Sequence, residues 1–155
     1  MPANIDPVYS RIGAVANSTI ATPTAAFPTL FGATANTTLD LSSTTGSQII
    51  FTADTTNGSF LRSIIIKQGG PSATISTAAV ARFFWNNGGT VGSAGNQFLW
   101  KEFTLPAVTP STTVTSPDYE IPCNVILPPG HRIYGVISVV QTTTGYFFIG
   151  VGGHL

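Results

Sequence analysis

Short runs of β-branched and aromatic residues, separated by glycine, proline and asparagine, fill this chain from about residue 36 onward. No stretch repeats apolar residues at the three-to-four spacing of an amphipathic helix. Runs about 8 to 15 residues apart with turn-forming residues between them are typical of β-sandwiches and barrels. We therefore predict eight strands, at residues 37–41, 47–53, 60–68, 79–85, 97–105, 115–121, 132–141 and 146–151.

Eight antiparallel strands of these lengths favour an all-β, jelly-roll-like β-sandwich, and a closed barrel is the alternative. A chain of 155 residues is long enough to bury a core and short enough to form one domain. We place the β-sandwich domain at residues 36–155.

The first 35 residues have a different composition, rich in alanine, threonine and proline. Proline lacks a backbone donor and favours extended geometry, so we predict an extended N-terminal arm at residues 1–35. Two interpretations remain: a disordered tail, or an arm that orders on its own domain or on a neighbour. The residues that would make such contacts are Ile5, Pro7, Tyr9, Arg11 and Ile12.

Charge is scarce and balanced: six Lys and Arg face six Asp and Glu, and charged residues make up 8% of the chain. Ordinary soluble domains carry about 25%. Nucleic acids and anionic membranes require a basic excess, so neither is expected as a partner. A neutral, apolar surface promotes association, and we expect protein partners. No signal-peptide or membrane-length apolar segment is evident, and the single cysteine, Cys123, suits a reducing cytoplasm.

Several predicted strands are apolar on both faces. In residues 97–105, Leu99 and Phe103 share one face of the strand, whereas Phe98 and Trp100 share the other. A two-layer sandwich would leave one of these faces in water. We therefore expect an outer face to be covered, by the N-terminal arm or by another subunit.

Residues suited to catalysis are few. The only histidines are His131, beside a turn, and His154, the penultimate residue, and neither has a nucleophile near it in sequence. Asp118 and Glu120 share one face of a predicted strand but are too few to hold Ca²⁺. Zinc-ligand spacing is missing as well. We predict that the protein is not an enzyme and that it holds no metal or cofactor.

Two features suit recognition. Trp85 and Trp100 flank the glycine- and asparagine-rich segment 86–96, where they would either stack on a sugar or pack in a core or interface. Arg82 lies in a predicted strand among apolar residues and needs a partner for its guanidinium. We expect Arg82 to pair between sheets or subunits, with one of the carboxylates Glu102, Asp118 and Glu120.

Six segments together carry a resemblance to a known group of proteins. They are Pro2-Ala-Asn-Ile-Asp-Pro7, Asn57-Gly-Ser-Phe-Leu-Arg62, Ala81-Arg-Phe-Phe-Trp-Asn-Asn-Gly88, Leu105-Pro-Ala107, Glu120-Ile-Pro-Cys-Asn-Val-Ile-Leu-Pro-Pro-Gly130 and Gly152-Gly-His-Leu155. In them the chain resembles small all-β virion proteins of tailed bacteriophages that act as capsid decoration or cement proteins. Residues 14–45 depart from the shorter pattern of that family.

The resemblance implies a non-enzymatic protein, made in the host cytoplasm, that sits on the capsid surface where subunits of the major capsid protein meet. It also implies self-association, as a homotrimer, and stabilisation of the shell. A phage tail, baseplate or fibre module is the nearest alternative. A carbohydrate-binding β-sandwich that uses Trp85 and Trp100 is the other alternative.

Overall fold

The computed structural model describes residues 30–69, 76–141 and 144–155, and within these ranges the chain is all-β. Seven strands of five or more residues and one two-residue strand form two antiparallel sheets. The strands are β1 (Leu30–Phe31), β2 (Gln48–Thr52), β3 (Ser59–Gly69), β4 (Ala79–Asn86), β5 (Gln97–Leu105), β6 (Asp118–Leu127), β7 (Arg132–Ile137) and β8 (Gly145–His154). The prediction of an all-β, antiparallel chain is confirmed. These residues include no helix with the length and hydropathy of a membrane span.

The strands pair as though one long hairpin had been folded over on itself. β4 pairs with β5, β3 with β6, β2 with β7 and β1 with β8. Two further pairings, β3 with β8 and β4 with β7, complete a first sheet of order β1-β8-β3-β6 and a second of order β2-β7-β4-β5. The two C-terminal strands therefore lie inside the sheets, and β5 and β6 are edges that pair with no further strand of the described residues.

The main core lies between the sheets. Alternate residues of β3 and β4 point into it, among them Ile64, Ile66 and Phe83, all fully buried. The ring of Phe148 on β8 stacks on Phe31 at a centroid distance of 4.3 Å and meets the edge of Phe83 at 5.3 Å. Although β1 has two residues, it contributes Phe31 to this core. Residues 30 and 31, which we had placed in the arm, thus pair with β8.

The predicted strand at residues 37–41 is wrong. The buried side-chain amide of Asn36 donates to the carbonyl oxygens of Ser43 (2.7 Å) and Thr45 (2.8 Å), and its oxygen accepts from Thr38. Leu41 adopts a φ of 58°, in the left-handed region. These contacts curl the segment into a loop, because the amide of Asn36 offers the backbone partners that a neighbouring strand would otherwise supply.

β6 also differs from its prediction, which ran from 115 to 121. The strand continues past Pro122, because β6 is an edge and a proline there costs no ladder hydrogen bond. A register shift opposite Leu61 and Ser63, with Asn124 at a φ of 49°, marks a β-bulge. β7 ends at Ile137, short of the predicted 141, and β8 reaches beyond the predicted 151.

Candidate interaction site

The free edge strand β5 carries a β-bulge that sets the position of its aromatic residues. In the β4–β5 register, Phe83 lies opposite Lys101 and Phe84 opposite Leu99, so Trp100 is an extra residue on β5. Because no described strand pairs with the outer side of β5, side chains at this edge stay partly open. Phe98 is 54% exposed, and Trp100 is half-buried.

Trp85 on β4 is the centre of this aromatic edge. Its ring stacks on Phe98 with centroids 6.1 Å apart and an interplanar angle of 17°. Trp100 meets it edge-on at 5.5 Å, and the ring of His131 does so at 6.1 Å. The Trp85 Nε1–H donates to Nδ1 of His131 over 2.8 Å. The indole is thus held by three rings and one hydrogen bond, which leaves the outward face of Phe98 open.

The space between the free edges β5 and β6 is lined by half-buried side chains. The inward residues of β6 that pack against the main core include Tyr119, whose ring lies 4.9 Å from that of Phe103, and Cys123. On β5, Lys101 Nζ lies 5.1 Å above the centroid of the Trp100 ring. Burial raises the pKa of the Cys123 thiol to about 11, although the charge of Lys101 acts in the opposite direction. The surface is therefore apolar, with a single cation at its rim.

The polar groups near this edge suit recognition better than proton transfer. His131 is engaged with Trp85 through Nδ1. Asp118, a carboxylate on the outer face of the first sheet, is paired with Lys67 at 2.9 Å. In residues 30–69, 76–141 and 144–155, no group of three or more His, Cys, Asp or Glu residues could hold a metal ion. The Cys123 thiol stays protonated at neutral pH and is a poor nucleophile. What the edge offers a partner is stacking and apolar area.

Arg82 lies away from the aromatic edge, on the outer face of the second sheet. Its Nε donates to Glu102 Oε1 over 2.8 Å, and one terminal nitrogen donates to the carbonyl oxygen of Asn36 over 3.4 Å. The carboxylate partner was among those expected, but the pair joins neighbouring strands of one sheet. The expectation of a pair between sheets or subunits is therefore corrected, because β4 and β5 are adjacent.

The structure brings Trp85 and Trp100 together and places Arg82 elsewhere. The predicted contact residues of the arm, Ile5, Pro7, Tyr9, Arg11 and Ile12, lie outside the described residues. Reasoning from the sequence missed three members of the aromatic edge, Phe98, Lys101 and His131. The asparagine and glycine residues of segment 86–96 do indicate a hairpin loop, and the β4–β5 hairpin brings Phe98 opposite Trp85.

The outer face of the second sheet is covered by the chain itself. Leu41, from the loop before β2, is fully buried in a second cluster with Phe84, Tyr134 and Val136, and Val91 of the β4–β5 loop packs against it. The apolar outer positions correctly indicated a cover. Among the described residues, the cover comes from the loop before β2 and from the β4–β5 loop.

In comparisons with known proteins, no family model matches this chain, and no curated protein or solved structure is significantly similar to it.

Proposed function

We propose that this protein is a structural virion component, a decoration protein that binds where subunits of the major capsid protein meet and stabilises the shell. The observation that carries the proposal is the exposed aromatic edge of β5, where Phe98 and the half-buried Trp100 lie with one cation and no other charge on the same face. Aromatic residues on a surface depleted of charge are typical of the buried centre of a protein interface. The sequence resemblance supports the same class.

We also propose that the sandwich is a jelly roll. Its support is the strand order, because folding a long hairpin into two Greek keys gives the pairings β1 with β8, β2 with β7, β3 with β6 and β4 with β5. Jelly rolls occur in viral capsid domains and in lectins. The fold alone does not choose between these functions, so the choice rests on the surface.

A decoration protein needs little affinity per copy. Its site recurs over the whole shell, so weak contacts to several capsid subunits and to second copies of this chain add up through avidity. An uncharged surface suits this arrangement, since apolar edges can approach neighbouring subunits without burying unpaired charge. In this proposal the protein acts without catalysis or cofactor and resides on the capsid surface.

Co-sedimentation with capsids tests the proposal. We expect the protein to pellet with assembled shells and not with unassembled capsid subunits. Phe98→Ala should weaken shell binding by about tenfold, because truncating a well-packed interface aromatic typically costs more than 1 kcal/mol. Val139→Ala, at a position 37% exposed and outside the aromatic edge, is the matched control and should bind as the parent does. No affinity for shells would contradict the proposal, and binding to tails instead would assign the tail-module alternative.

Carbohydrate binding is the second candidate, and the observation that favours it is the open face of Phe98 above Trp85. Sugars stack on such rings, and the side-chain amides of Asn87 and Asn96 lie in the neighbouring β4–β5 loop. Titration with a panel of sugars at millimolar concentrations tests it. Binding that is lost in a folded Trp100→Ala variant would favour this candidate over the virion protein.

A further inference from the structure

The outer face of the first sheet is apolar along β8 and becomes acidic toward β6. Side chains alternate along β8, so the residues of this outer face point away from the inward Tyr146 and Phe148. None of the outer-face residues packs against either core cluster. Its apolar side chains are Phe60, Ile65, Ile126, Phe147, Ile149 and Val151.

The two outer faces of the sandwich differ in their cover. On the second sheet, the loop residue Leu41 is fully buried against Phe84 and Tyr134. On the first sheet, the described ranges supply no buried cluster of this kind, and Ile126 remains 59% exposed. Ile126 and the five half-buried apolar side chains on the same face form a patch of the kind that marks a protein interface.

The charges of this face are self-complementary. Lys67 and Asp118 form an ion pair at its end. Arg62 and Glu120 are both exposed and, within the described residues, have no ion-pair partner. Glu120 lies opposite Ile65 in the β3–β6 register, so three residues, or about 10 Å along the strands, separate it from Arg62. One cation and one anion thus lie on the same patch, and the structure shows no ion pair between them.

We propose that a second copy of this chain covers this face, with Arg62 of one copy against Glu120 of the other. A two-fold axis in the plane of the sheet, running across the strands midway between the two residues, makes this contact twice. The same rotation lays β8 of one copy antiparallel over β8 of the other, with Gly150 near the axis. Ile149 of one copy therefore meets Val151 of the other, and this contact too is made twice. The inference rests on the self-association that the proposed function includes, and it is independent of the capsid.

The area of this face sets the affinity that we expect between two copies. Three strands about 4.8 Å apart and some seven residues long give a projected area on the order of 400 Å² per copy. Stable complexes bury about 800 Å² per partner, and smaller interfaces are transient. We therefore expect association in the micromolar range, visible only across a concentration series.

Sedimentation equilibrium of the full chain, from about 1 to 500 µM, tests the inference. The parent should show reversible self-association. Arg62→Glu and Glu120→Arg should each weaken it by about tenfold or more, because like charges then face each other at both contacts. The double variant should recover most of the affinity. Arg132→Glu, the same charge reversal on β7 of the second sheet, is the matched control and should associate as the parent does.

Three results would overturn the inference: a monomer at every concentration, single variants that associate normally, or a double variant weaker than either single one. The first would mean that residues 1–29 or a different protein cover the face. Near-ultraviolet circular dichroism confirms that each variant is folded. Shell binding of the same proteins separates the two proposals, since a monomer that pellets with shells refutes only this inference, and an associating protein that ignores shells refutes only the proposed function.

Discussion

The side chains of Arg82 and Asn36 hold the loop before β2 in place by hydrogen bonds, without any strand pairing. The guanidinium of Arg82, 14% exposed, reaches both Glu102 and the carbonyl oxygen of Asn36. The amide of Asn36 in turn holds two further carbonyl groups of the same loop, those of Ser43 and Thr45. Each polar group is satisfied inside the chain, so this part of the surface needs no partner to complete its hydrogen bonds.

The Cys123 thiol should resist alkylation. Burial raises its pKa from the ordinary 9.0 to about 11, so at pH 8 the thiolate fraction is about 100-fold below that of a free cysteine. We expect iodoacetamide to react with folded protein more slowly by a similar factor, measured by mass spectrometry, with the urea-unfolded chain as control.

The same thiol makes stability depend on pH. Because the folded state keeps a proton that the unfolded chain releases above pH 9, the free energy of unfolding should fall as pH rises from 9 toward 11. Equal alkylation rates in folded and unfolded protein would contradict the raised pKa from which both expectations follow.

Among the secondary-structure elements, the loop before β2 covers part of the outer face of the second sheet. Leu41 is fully buried, whereas Leu39, two residues earlier, is 59% exposed. Leu41→Ala should lower the free energy of unfolding by about 3 kcal/mol, the usual cost of a large cavity in a core. Leu39→Ala should change it by less than about 0.5 kcal/mol. Urea denaturation of the two variants measures the difference, and equal effects would show that the loop does not cover the sheet.

The turn between β2 and β3 depends on a glycine for two separate reasons. Gly58 has a φ of +79°, and a Cβ there would lie 2.5 Å from the carbonyl oxygen of Leu127. Gly95, in the β4–β5 loop, has a φ of +83° but an open surround. Gly95→Ala should cost about 1 kcal/mol, the strain of the left-handed conformation alone. Gly58→Ala should cost about 1 to 3 kcal/mol more, since backbone must also shift. Thermal unfolding compares the two, and equal losses would refute the clash.

Local chemistry predicted the positions of most strands. Alternation and turn residues placed those around Phe83 and Ile64 within a few positions, because both signals act over a few neighbouring residues. The loop at 37–41 was missed because the amide of Asn36, a single side chain, overrides a run of β-forming residues. The exposure of Phe98 could not be predicted either, since the bulge at Trp100 decides which side chains of β5 face outward.

For the whole molecule, the division between arm and domain gives a prediction about attachment. Deleting residues 1–12 should weaken binding to shells, because it removes all five predicted contact residues of the arm. The free energy of unfolding should change by less than about 0.5 kcal/mol, since both sheets are formed by strands from Leu30 onward. Co-sedimentation and urea denaturation measure the two effects. Undiminished binding would show that the arm is not the clamp.

The pairing order of the strands also bears on how the chain is made. β8 lies between β1 and β3, and β7 lies between β2 and β4, so neither sheet can close until residues 132–155 have left the ribosome. A chain interrupted before Gly145 leaves β3 without one of its neighbours and its apolar residues without a core. Such fragments lack both the aromatic edge in its folded form and the face that a second copy would cover. Only a chain that extends through β8 can therefore display both of the surfaces proposed for binding.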